Sequence, residues 1–109
     1  MVQNFKELLN NVKAFAFDVD GVFTDGNVVL HPSGELIRTT NTRDGYAVHV
    51  AIERGFPIAI ITGGNSQSVK DRFKGLGVTD IYQGITDKAA ALEDFRFKYG
   101  VELSEILYM

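Results

Sequence analysis

Two short runs in this chain, Ala14-Phe15-Ala16-Phe17 and Ile58-Ala59-Ile60-Ile61, are apolar at every position. A strand with one wet face alternates apolar and polar residues. A strand that is apolar throughout is buried on both faces, as in a parallel sheet covered by helices. Segments of helical character separate such runs, so strand and helix alternate along the chain. The expected fold is α/β, a doubly wound parallel sheet, and 109 residues make it one domain, 1–109.

The punctuation of the chain supplies the remaining elements. Asn4 and Glu7 form a helix-capping pair ahead of an apolar stripe of Phe5, Leu8, Leu9 and Val12. The first strand runs Ala14–Asp18. Val28–Leu30 and Glu35–Thr40 flank the turn signal His31-Pro32-Ser33-Gly34, which predicts a β-hairpin inserted after that strand. Asp44 is expected to cap a helix from Gly45 to Arg54 that ends at Gly55. After the strand Ile58–Ile61 come a helix from Ser66 to Lys74, a short strand Asp80–Tyr82, a helix from Asp87 to Tyr99 closed by Gly100, and a last strand Glu105–Met109.

The first apolar run ends in Asp18-Val19-Asp20-Gly21. Two carboxylates beside a buried strand are costly to desolvate, so folding alone does not select them. They suit an acidic nucleophile, a second acid/base and a divalent cation gathered around a phosphate. In a doubly wound sheet, functional groups collect beyond the carboxyl ends of the strands. There the second run offers Thr62, Gly63 and Gly64, and the loop after the third strand offers Lys88. Together these form an anionic nucleophile, a hydroxyl with backbone amides, and an ammonium. Gly21 and Gly63 would let the backbone come close to a ligand.

In order along the chain, Asp18-Val19-Asp20-Gly21-Val22-Phe23-Thr24, then Thr62, then Lys88 resemble the three motifs of the haloacid dehalogenase superfamily, phosphatases with an aspartate nucleophile on a Rossmann-like sheet. Asn41-Thr42-Arg43-Asp44-Gly45, Ile60-Ile61-Thr62-Gly63 and Tyr82-Gln83-Gly84 with Asp87-Lys88 extend the likeness to the 3-deoxy-D-manno-octulosonate 8-phosphate phosphatases from Lys13 onward. The sister enzymes acting on 2-keto-3-deoxynonulosonate 9-phosphate are similar too. The resemblance implies that Asp18 attacks phosphorus and that Asp20 donates and then accepts the proton. Lys88 would neutralise nucleophile and phosphate. The Asp18 side chain and the Asp20 carbonyl would hold Mg²⁺. Arg43 and Asp44 either bind the substrate carboxylate or only cap and brace the helix at Gly45. The implied substrate is a phosphorylated keto-sugar acid of lipopolysaccharide synthesis.

Two departures stand out. The basic residue that commonly follows Thr-Gly in these phosphatases is replaced here by Gly64-Asn65. The acidic fourth motif is expected after Ile106–Met109, where the sequence stops, so the expectation is a domain lacking part of its metal site, weak in Mg²⁺ binding and slow in turnover. No cap domain fits between the first and second motifs; the resemblance implies a homotetramer whose hairpin flaps, with apolar Val28, Val29, Leu30, Leu36 and Ile37, close the neighbouring sites.

Composition excludes other classes. A net charge of −3 carries no basic stripe for nucleic acid, and Lys70, Arg72 and Lys74 read as a solvated helix face. There is no cysteine for disulfides or thiolate ligands. No segment has membrane-spanning length and Met1–Val12 is not a signal peptide, so the expected location is the cytoplasm. A receiver domain takes its phosphoryl group after a later strand, which the Asp-x-Asp-Gly pair does not fit. A non-catalytic oligomerisation module, as found with some acylneuraminate cytidylyltransferases, is the remaining rival.

Overall fold

The computed structural model describes residues 11–34 and 36–109; the predicted helix at Asn4–Val12 lies almost wholly outside them. Strands β1 (Ala14–Phe17), β4 (Ile58–Ile61), β5 (Asp80–Tyr82) and β6 (Ile106–Tyr108) form one parallel sheet in the order β5-β4-β1-β6. Strands β2 (Val29–Leu30) and β3 (Leu36–Ile37) pair antiparallel as a separate hairpin between β1 and the first helix. Helices α1 (Thr42–Glu53), α2 (Gln67–Gly75) and α3 (Lys88–Tyr99) fill the crossovers. The order of strands reverses between β1 and β6, which makes the carboxyl end of β1 the switch point where ligands bind in such sheets.

The unbroken apolar runs are explained by what each face meets. Phe17, Ile58 and Ile60 point to one side, where they pack with Val48 of α1 and with Val69 and Phe73 of α2. Ala14, Ala16, Ala59 and Ile61 point to the other, against Ala91 and Phe95 of α3. The small alanines on that side let α3 approach closely, and Phe95 fills the space with no exposure. On the first side an aromatic chain runs from Phe17 through Phe23 to Phe73, with edge-on centroid separations of 5.3 and 5.0 Å.

Most boundaries match the sequence expectation to within three residues, and one cap does not. Helix α1 starts at Thr42, and its cap is Asn41, whose side chain accepts the Arg43 N–H at 2.7 Å. Asp44 instead lies in the first turn, where its charge complements the helix dipole. Ser66 and Asp87 cap α2 and α3 through side-chain bonds to Val69 and Ala90, and Gly100 ends α3 at φ +65°. Among the described residues no helix is long and apolar enough to cross a membrane.

At the amino end of the sheet, Asp80 opens β5 with its side chain 4% exposed. It accepts from Lys98 Nζ at 2.5 Å, Thr79 Oγ1 at 3.0 Å and the Tyr99 hydroxyl. Burial pushes this carboxyl up, but the bonds from Lys98, Tyr99 and Thr79 outweigh it and hold it below the usual carboxylate range. A carboxylate held low in the fold contributes stability above its unfolded value, and that contribution disappears as pH falls through the folded value. Tyr99→Phe is expected to lower the unfolding free energy by about 1.5–3 kcal/mol at neutral pH, the range for a hydrogen bond to a charged group. In urea titrations the gap from the parent should shrink below about pH 4, as Asp80 becomes protonated.

Candidate active site

Register places the polar groups. Phe17 pairs with Ile60 and Ile61 with Tyr82, so the residues that follow each strand emerge at the same edge of the sheet. On the other flank, Asp18 N–H donates to Met109 O at 2.7 Å, which anchors the residue after β1 to the end of β6. The loop after β5 is stitched to the loop after β4: Ile85 N–H donates to Thr62 O at 3.1 Å and Gly84 N–H to Gly64 O at 2.8 Å. This stitching carries Lys88, the first residue of α3, back over the end of β1.

There Lys88 Nζ lies 2.7 Å from Asp18 Oδ2. The hydrogen bond to Asp18 raises the lysine's pKa further above its ordinary value, against a smaller opposing effect of desolvation, and the charges of Asp18 and Asp20 add to the rise. The Tyr108 phenol on β6 is also pushed up, first by burial and then by the Asp18 charge. Thr62 is buried beside them; its hydroxyl oxygen accepts Gly64 N–H at 3.2 Å, which leaves the O–H free to donate. An ion-paired carboxylate, a buried hydroxyl and the amino terminus of α3 thus converge where a phosphate can sit.

Asp20 is held differently. Its carboxylate takes Arg38 Nε at 2.8 Å and Nη2 at 3.3 Å, and Thr24 Oγ1 at 3.4 Å. Arg38 lies just past the hairpin, outside every motif of the sequence. Its partner is 18 positions away and only the folded hairpin brings the two together. The one available clue was the missing basic residue at Gly64: the Arg38 guanidinium occupies that place, with Nη2 3.0 Å from where a Gly64 Cβ would stand.

The remaining candidates divide. Gly21 lies beside Asp20 with φ +86°, a conformation that other residues adopt at a cost, so backbone geometry explains this glycine. A Cβ on Gly63 would meet only Ile85 O, at an ordinary 3.6 Å, so neither space nor backbone demands glycine there. Arg43 is exposed on the first turn of α1, its backbone N–H bonded to Asn41 Oδ1, and among the described residues Arg38 is the arginine bonded to Asp20.

The donor set suits a hard cation. Among the described residues, Asp18 Oδ2 is engaged by Lys88, no donor reaches Oδ1, and no backbone N–H donates to the Asp20 carbonyl. These two oxygens match Mg²⁺, which commonly takes one or two protein oxygens and keeps water or phosphate on its other positions. Among the described residues no cluster of three or more acids or histidines gathers around them.

No family model matches the chain. The 3-deoxy-D-manno-octulosonate 8-phosphate phosphatase KdsC of Escherichia coli K12 is 35% identical to it over 99 residues, 91% of this chain and 53% of the relative. The crystal structure of 3-deoxy-D-manno-octulosonate 8-phosphate phosphatase from Yersinia pestis superimposes with a TM-score of 0.89 at 32% identity, covering 94% of this chain and 55% of that one. The Moraxella catarrhalis phosphatase of the same name, solved with a magnesium ion, a phosphate ion and a KDO molecule, gives 0.87 at 35% identity, with 96% and 62% covered. The chain spans about half the length of the curated relatives it matches, 53%.

Replacing Asp18 by Asn keeps the shape of the site and removes the charge that faces Lys88. The Lys88 ammonium is then expected to titrate at lower pH than in the parent, read from its Nζ resonance by NMR. An unchanged titration would show that Asp18 is not the group that raises it.

Proposed function

Because this chain is a homologue of the 3-deoxy-D-manno-octulosonate 8-phosphate phosphatases of the haloacid dehalogenase superfamily, we propose that it is a phosphatase domain that hydrolyses a phosphorylated keto-sugar acid through an aspartyl-phosphate. The favoured substrate is 3-deoxy-D-manno-octulosonate 8-phosphate. The observation that carries the reading is the Lys88–Asp18 pair at the carboxyl end of β1, 2.7 Å apart and beside Thr62.

In this reading one Asp18 oxygen forms a bond to phosphorus as the bond from phosphorus to the sugar oxygen breaks. Asp20 gives its carboxyl proton to that leaving oxygen. Asp20 then takes a proton from water, the water oxygen attacks phosphorus, and phosphate leaves with Asp18 restored. Lys88 holds the Asp18 carboxylate in place and offsets negative charge as the phosphate arrives. The Thr62 hydroxyl donates to a phosphate oxygen, the Gly64 N–H holds that hydroxyl's oxygen, and the Gly63 amide lies in the same turn. Bound through Asp18 and the Asp20 carbonyl, Mg²⁺ would supply charge neutralisation between carboxylate and phosphate.

The hairpin takes the part of a flap. Leu30 and Val29 on it are 78% and 61% exposed, an apolar surface that favours association. A homotetramer in which flaps shield neighbouring sites is the arrangement proposed, in the cytoplasm.

Phosphate release from a panel of sugar phosphates tests this. Release should require Mg²⁺, stop on addition of EDTA, and fall by at least about a thousandfold in Asp18→Asn, the expected cost of losing a covalent nucleophile. Equal release from Asp18→Asn, or none from any phosphorylated sugar acid, would overturn the proposal.

A further inference from the structure

The Arg38 side chain is charged yet only 7% exposed, while Asp20, its partner, is 40% exposed. A guanidinium that far from water needs its fork of donors engaged. Nε and Nη2 both reach the Asp20 carboxylate, and Nη1 donates to Leu36 O at 3.3 Å, so the same group grips the acid and the flap strand β3. Its seat exists because residue 64 has no side chain: a Cβ there would come within 3.0 Å of Nη2 and 3.6 Å of Thr62 Oγ1. Gly64 has an ordinary backbone conformation, so the requirement is for space, not for φ.

We propose that Arg38 is the positioning residue for Asp20, tying the orientation of the acid to the flap through space that Gly64 leaves open. This rests on the phosphatase reading for its catalytic consequence, and on geometry alone for the contact. Where another chain would place a side chain after Thr62-Gly63, this one brings an arginine in from the hairpin. Movement of the flap therefore moves Arg38, and with it the carboxyl that must meet the leaving oxygen.

In the step that forms the aspartyl-phosphate, a sugar oxygen depends on proton donation, whereas the phenolate of p-nitrophenyl phosphate leaves unaided; the hydrolysis that follows needs Asp20 with either substrate. Under single-turnover conditions Arg38→Ala should slow release of the sugar acid about tenfold or more, within the range general acids contribute. Release of p-nitrophenolate in the first turnover should stay within about threefold and the affinity for the sugar phosphate within about twofold, and Arg38→Lys should recover part of the loss. An equal loss of first-turnover release on both substrates, or a loss confined to affinity, overturns the positioning role. Thermal melts decide the contact without any activity. Gly64→Val should lower Tm less in an Arg38→Ala background than in the parent, and Asp20→Asn should show the same dependence on Arg38. Additive melts overturn the proposal. If the parent releases phosphate from neither substrate while the melts are coupled, the phosphatase reading fails and the Arg38 contact stands.

Discussion

Strand β1 is hydrogen-bonded on both edges and buried on both faces, and the rest of the molecule is arranged around that constraint. Nothing polar fits inside it, so its carboxyl end is where charge can first emerge. Asp18 does so with its N–H on Met109 O and its carboxylate on Lys88, one residue past the last core phenylalanine. The backbone of the acid is fixed by β6 while its side chain is fixed by α3. A group clamped by two elements loses little further freedom when it engages a ligand.

The two acids live in contrasting surroundings despite being two residues apart. Asp18 faces a lysine carried on the positive end of a helix, a setting suited to welcoming an anion. Asp20 faces outward, toward the hairpin, with its oxygens taken by Arg38 and Thr24. Separation of this kind keeps two carboxylates on one short loop from becoming equivalent.

The sheet, the three helices and the acidic pair were legible because each is written locally. Phe17-Asp18 marks the edge of the core within two residues, and Ser66, Asp87 and Gly100 punctuate helices by their own side-chain chemistry. Asn41 and Asp44 are both good caps, so composition could not choose between them. The choice fell to the hairpin exit, which leaves Asn41 in extended backbone at φ −88°, ψ 133°. Thr62 and Lys88 were found by motif order, and the fold explains it through the bonds that stitch residues 84 and 85 to residues 62 and 64. Arg38 was illegible because its meaning depends on a hairpin turn, a glycine 26 positions later and an acid 18 positions earlier.

The pairing of β1 with β6 also bears on how the chain is made. Ala14 meets Ile106, so about 90 residues must be synthesised before the central strand gains its second neighbour. At ribosomal speeds of about 5–20 residues per second, a nascent chain carries that apolar edge for several seconds, with β4 already available on the other side. The same edge that later steadies Asp18 is, during translation, an unpaired ladder of amides next to exposed phenylalanines. Until Ile106 arrives, that edge is a place where another strand or a chaperone can pair.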